Sequence, residues 1–160
     1  MDTRSFIVMF ALGMVTSLGV MAQQAPQGVV LVTPEKAQWT QSLTTGAVRG
    51  VDQVVIQGHP SKPGPYLNWI KFPPNFKSPA HSHPEDRSNT VLSGTWYIGF
   101  GEKFDESKLI ALPAGSFYTE PAGILHFTAT RGEPAVLQIG GVGPTRVIYL
   151  DPATDPSKNK

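Results

Sequence analysis

The stretch Gly115-Ser-Phe-Tyr-Thr-Glu-Pro-Ala-Gly-Ile-Leu-His126 decides how this chain is read. Gly115 suits a tight turn, residues 116–120 form a short β-prone run, and Pro121 with Gly123 punctuate a second turn before His126. Upstream lies a second histidine segment, His81-Ser-His83. The chain has four histidines, and three of them fall in these two segments. Side chains at i and i+2 of an extended strand project to one face, so His81 and His83 are expected to point the same way. His126, arriving from a facing strand, would complete a three-nitrogen pocket suited to a transition metal.

Outward from these segments the pattern is that of an all-β domain. Gly (16) and Pro (15) are numerous, but they stand between short apolar runs and so act as turn signals, not as a linker. The runs cover residues 29–32, 54–57, 66–72, 90–100, 109–112, 116–120, 126–130, 136–139 and 146–150. They are rich in Val, Ile, Thr, Tyr and Phe, and no long stretch sustains a helical period. A short helical turn is expected over 34–38, where Thr33 can cap and Pro34 takes the first helical position. Many short strands in a chain of this size predict a sandwich or small barrel.

The first 22 residues carry one early cation, Arg4, then an apolar stretch over 6–20, and end in Val20-Met-Ala22 before Gln23. This reads as a secretory signal peptide, although Asp2 makes its start less basic than usual. An uncleaved membrane anchor is the competing reading. The stretch is short for a span and no basic cluster follows it, so cleavage is favoured. The expected organisation is a signal peptide over 1–22, one β-barrel domain over 23–150, and a polar, frayed tail over 151–160. About 138 residues would then remain, enough for one core and not for two domains. The expected location is the periplasm or the exterior, with no membrane association after cleavage.

No cysteine occurs, so disulfide staples, a lipid-modified cysteine and thiol chemistry are excluded. Net charge is +1 and no basic run is present, which argues against a nucleic-acid partner. Small molecules are the expected partners. His59 lies in a proline-rich turn away from both histidine segments and is read as an exposed loop residue. The acidic turn over 102–106 lacks calcium-loop spacing and is read as a solvated hairpin.

The two histidine segments resemble the paired motifs of the cupin superfamily. The first family motif, Gly-x5-His-x-His-x3-Glu-x6-Gly, maps onto Asn75, His81, His83, Arg87 and Gly94. The second, Gly-x5-Pro-x-Gly-x2-His-x3-Asn, maps onto Gly115, Pro121, Gly123, His126 and Thr130. Every spacing holds, and the likeness extends along most of the mature chain. It implies a double-stranded β-helix, or jelly-roll barrel, whose metal ligands would be His81, His83 and His126. Many cupins are homodimers, and the run over 29–32 is expected to pair across a two-fold axis or against the barrel's own edge.

Three positions depart from the family pattern. Asn75 for Gly is mild, because Asn tolerates a left-handed conformation. Thr130 for Asn keeps a hydroxyl and a β-former. Arg87 stands where the family's glutamate ligand would be, and a guanidinium cannot bind a cation. Four readings of Arg87 stay open. It pairs with Glu85, Asp86 or Glu120 beside a three-histidine site, or it anchors an anionic substrate through its bidentate fork. Otherwise it swings to solvent past Pro84, or it marks a site that has lost its metal. Glu120 is a further candidate catalytic group, facing either the pocket or a solvated strand edge.

Three neutral imidazoles leave a divalent iron, manganese, zinc or nickel ion with open coordination positions. The expected function is that of an exported metal-dependent cupin enzyme acting on a small anionic organic substrate, with oxygenase chemistry foremost. The alternative is a non-catalytic cupin that captures a metal or small ligand. The fold does not choose between them.

Overall fold

The computed structural model describes residues 25–42, 48 and 50–155; the expected signal peptide, residues 1–22, lies outside the described residues. Eleven strands among the described residues are β1 (Thr40–Gln41), β2 (Asp52–Gln57), β3 (Gly64–Phe72), β4 (Lys77–Ser82), β5 (Arg87–Ser93), β6 (Thr95–Phe100), β7 (Ile110–Pro113), β8 (Phe117–Glu120), β9 (His126–Ala129), β10 (Ala135–Gly143) and β11 (Ile148–Tyr149). They form two antiparallel sheets. One has the order β1-β2-β3-β10-β5-β8 and the other β11-β4-β9-β6-β7. This is the jelly-roll barrel that the two motifs imply. No helix among the described residues is long and apolar enough to cross a membrane.

Alternation along the strands makes the core. On β3, Tyr66, Asn68, Ile70 and Phe72 are buried, while the residues between them are more exposed. Ile70 and Phe72 meet Val91, Trp96, Ile98 and Leu137 between the sheets. Phe72 lies 4.4 Å from Trp96, ring centre to ring centre, and 5.0 Å from Phe76, a cluster within the range of favourable aromatic contact.

The departures from the family motifs are compensated locally. Asn75 adopts φ 58°, and its Oδ1 accepts from the Gly132 amide at 3.1 Å. The Thr130 hydroxyl accepts from the Phe76 amide at 2.9 Å and donates to the Pro73 carbonyl at 2.6 Å. It thereby ties the end of β9 to the turn before β4.

Some expectations are corrected. The run over 29–32 forms no strand. Val29, Val30 and Leu31 are exposed and Val32 is half-buried, and Val29 instead closes a turn by donating to the Pro26 carbonyl. β-propensity alone does not make a strand without a partner edge, and the edge of β2 is taken by the two-residue β1. The run over 90–100 is two strands, because Gly94 turns the chain at φ 70°. A Cβ at that position would lie 2.1 Å from the Pro134 carbonyl oxygen, so only glycine fits there without a shift. The helical turn is a 3-10 turn over Pro34–Lys36, and Thr33 makes no side-chain capping bond. Within the expected tail, Pro152–Thr154 forms a 3-10 turn capped by Asp151.

Candidate metal centre

β4 carries His81, and the chain leaving β4 carries His83. His126 opens β9 and is the register partner of His81 across the β4–β9 pair. The third imidazole therefore comes from the neighbouring strand of the same sheet, not from a facing strand. One ring nitrogen from each of His81, His83 and His126 lies within 4.8 Å of the other two, and all three residues are buried.

The orientation of each ring is fixed from behind. His81 Nδ1 lies 2.7 Å from the Pro79 carbonyl, His83 Nδ1 2.9 Å from that of Arg146, and His126 Nδ1 3.1 Å from that of Ile124. A carbonyl only accepts, so each Nδ1 carries the proton and each Nε2 presents its lone pair. This back-side anchoring holds ligating imidazoles in one tautomer. Burial, then the neighbouring His126, pulls the His81 pKa down to about 3. Burial, then the charge of Arg87, pushes that of His83 down as well. Both rings are neutral at pH 7, the state a metal requires.

The opposite sheet supplies the charges. Arg87 begins β5, Glu120 ends β8, and the two are register partners. Both are buried and face the histidines. The Arg87 guanidinium donates to Glu85 at 2.8 Å through Nε, to His83 Nε2 at 2.9 Å through Nη1, and to the Thr145 hydroxyl through Nη2. Glu85 Oε1 also accepts from the Tyr66 hydroxyl at 2.9 Å. Glu120 Oε1 is 3.5 Å from His126 Nε2, and Oε2 is 3.8 Å from His83 Nε2 and 3.9 Å from Arg87 Nη1. The pairing of Arg87 with Glu85, one of the four readings, is what the fold adopts. The swing to solvent is not adopted.

The residues present fit a divalent cation. Three lone pairs converge, and Glu120 Oε2 is a buried anionic atom with no hydrogen-bond partner among the described residues. Arg87 opposes a metal on charge grounds. At an effective dielectric of about 20, a divalent ion about 4 Å from a guanidinium is repelled by about 8 kcal/mol, and each carboxylate at similar range offsets a like amount. Glu120 lines the cavity and is in place to do so, while Glu85 pairs with the Arg87 guanidinium itself. A cavity of about 40 Å³ runs from this cluster toward Phe72, Phe76 and Trp96. One end is polar and charged, the other aromatic.

Sequence reading named every charged member of this cluster. It did not find Thr145 or the Arg146 carbonyl, both on the segment between β10 and β11. Neither announces itself: one is an ordinary loop threonine 58 residues from Arg87, the other a backbone atom. His59 stands apart in its turn, half-buried, with Nδ1 2.8 Å from the Ser61 hydroxyl. Residues 102–105 are a bend and irregular chain leading into the 3-10 turn Glu106–Lys108, not a hairpin, with Glu106 paired to Lys77 on the surface.

Comparison with known proteins agrees on the fold. The polyketide cyclase RemF from Streptomyces resistomycificus superposes with a TM-score of 0.65 at 16% identity, covering 81% of this chain and 91% of its own. An RmlC-like cupin protein from Ralstonia eutropha superposes at 0.57 with 18% identity, covering 78% and 73%. KdgF from a Halomonas species gives 0.50 at 15% identity, covering 69% and 91%. No curated protein matches. A family model described as a domain of unknown function, DUF4437, matches residues 29–146. That match spans both histidine motifs and every strand from β1 to β10, and so this cupin-fold chain belongs to the DUF4437 family.

Proposed function

We propose that this protein is an exported metal-dependent enzyme that holds one divalent transition ion on His81, His83 and His126 and acts on a small anionic organic molecule. The observation that carries the reading is the convergence of three Nε2 atoms whose Nδ1 partners are all backbone carbonyls. When bound, such an ion supplies Lewis acidity and open coordination positions for substrate or dioxygen. The chain's own residues do the rest. Arg87, held by Glu85 and Thr145, presents its Nη1 edge to the cluster and anchors a carboxylate or phosphate there. The aromatic end of the cavity takes the apolar part of the ligand and excludes water. Oxygenase chemistry on iron or manganese is the reaction class we favour, with zinc or nickel serving a non-redox alternative. The barrel itself does not choose, since proteins named as differently as a polyketide cyclase and KdgF share it.

A second reading, a binding module without turnover, is favoured by one observation. The Arg87 guanidinium occupies His83 Nε2 at 2.9 Å, so one ligand atom is capped in this state. Metal analysis of the purified protein, then oxygen uptake against carboxylated catechols, thiols and diketones, separates the two. Stoichiometric iron with substrate-dependent oxygen consumption supports the enzyme. Metal uptake with no turnover of any kind supports the module, and no metal uptake overturns both.

A further inference from the structure

We infer that Glu120 is a fourth ligand of this metal centre, supplied by the second histidine motif and the opposite sheet in place of the glutamate that the first motif lacks. The inference rests on the three-histidine reading above and deepens it. The side chain of Glu120 is 6% exposed; its carboxylate is engaged by the buried Tyr118 hydroxyl, but its Oε2 has no hydrogen-bond partner among the described residues. A buried carboxylate oxygen without a donor is strongly disfavoured unless a cation takes that role. The obvious candidate, Arg87, does not take it. Its Nη1 is 3.9 Å from Oε2, beyond hydrogen-bonding range, while its other donors are engaged by Glu85 and Thr145.

One distance is already that of ligands sharing an ion, and a second is slightly longer. Metal–nitrogen and metal–oxygen bonds of about 2.0–2.2 Å put neighbouring ligand atoms roughly 3.0–3.5 Å apart. Glu120 Oε1 is 3.5 Å from His126 Nε2, and Oε2 is 3.8 Å from His83 Nε2. Closing the set requires the Glu120 carboxylate to move toward His83 Nε2. The backbone explains how the donor is placed. Position 87, where the family motif carries its glutamate, is the register partner of Glu120 across the β5–β8 pair. Cross-strand partners place their side chains side by side on one face, so a carboxylate on β8 reaches nearly the point that one on β5 would. The end of β8 is also pinned to the histidine loop: the Gly123 amide donates to the His83 carbonyl at 2.9 Å, and the Ala122 amide to Asp86 at 2.7 Å.

Cobalt(II) titration of the metal-stripped full-length protein, read by visible absorption, tests the assignment. The bands report the number and kind of ligands, independently of turnover. Glu120→Gln, which keeps the shape and removes the charge, is expected to lower cobalt affinity at least tenfold and to change the band positions and intensities. An unchanged affinity with a superimposable spectrum overturns the assignment and leaves the three-histidine site standing. If the wild-type protein takes up no cobalt, or if His126→Ala binds it as well as wild type, the underlying reading falls too. Far-ultraviolet circular dichroism checks that each variant is folded, and Glu120→Ala carries the same test should the glutamine variant fail to fold.

Discussion

Arg87 Nη1 lies 2.9 Å from His83 Nε2, the nitrogen that the Nδ1 contact with the Arg146 carbonyl leaves free to act as a ligand. One hydrogen bond thus joins the residue that departs most from the family motif to a residue that keeps it. A metal held there would compete with the guanidinium for the same lone pair. The folded chain keeps Arg87 within reach of either outcome, because Glu85 and Thr145 hold the rest of its side chain.

The first prediction concerns the histidines. Changing His81, His83 or His126 to Ala removes one of three converging donors, so metal occupancy should fall sharply in each variant while the β-fold persists. Plasma emission for metal and far-ultraviolet circular dichroism for fold provide the check. Full occupancy in all three variants contradicts the site.

Arg87→Ala should separate two effects. Anionic ligands should bind more weakly by about 1.5–3 kcal/mol, the range for charged hydrogen bonds. Metal affinity should not fall, since His83 Nε2 is uncapped. Calorimetric titrations with metal and with a small carboxylate measure both. Weaker metal binding would mean that Arg87 organises the histidines instead of competing for one.

Metal-free protein should lose stability on acidification. The unfolded histidine pKa is near 6.5, and burial lowers that of His81 to about 3 and that of His83 also. The unfolded chain therefore binds protons that the folded one refuses, so stability is full above about pH 6.5 and falls as pH drops toward the folded values. Each of these two histidines contributes a slope approaching about 1.4 kcal/mol per pH unit within that window. Thermal melts from pH 7.5 to 4 should show the decline, and His83→Ala should make it shallower. A flat profile would contradict the burial of neutral imidazoles.

Thr130 offers a stability test far from the charges. Thr130→Val strips the acceptor from the buried Phe76 amide and should cost about 1–3 kcal/mol. Thr130→Asn, the residue of the family motif, should recover much of that loss. Chemical denaturation of both variants decides the matter.

The exposed run at Val29, Val30 and Leu31, with 49%, 57% and 74% of its surface open, is our proposed dimer segment. Deleting residues 23–33 should turn a dimer into a monomer, or destabilise the fold, by light scattering and thermal melting. A wild-type protein that stays monomeric at high concentration would remove this role.

How far the sequence carried the reading follows from what each feature depends on. His81, His83 and His126 were readable because their spacing is local and their side chains are chemically distinctive. Which strands lie beside one another is not local, and so His126 was expected from a facing strand when it comes from the adjacent one. The turn at Pro121–Gly123 breaks the strand alternation, and parity from His126 could not say which way Glu120 points. The run over 29–32 has the composition of a strand but no partner in its own barrel, a fact composition does not contain. Thr145 and the Arg146 carbonyl reach the site only through the path of the chain after β10.

The Glu85–Arg87–Tyr66 contact has a consequence for inheritance. Glu85 accepts from both the Arg87 guanidinium and the Tyr66 hydroxyl, so its buried charge depends on Arg87 as its counter-ion. Restoring the family ligand by Arg87→Glu alone would crowd a third carboxylate between Glu85 and Glu120 and delete the cation that separates them. Position 87 is therefore entrenched. A carboxylate ligand can be placed at position 87 only if its neighbours are altered as well, so residues 85, 87 and 120 should change together or not at all.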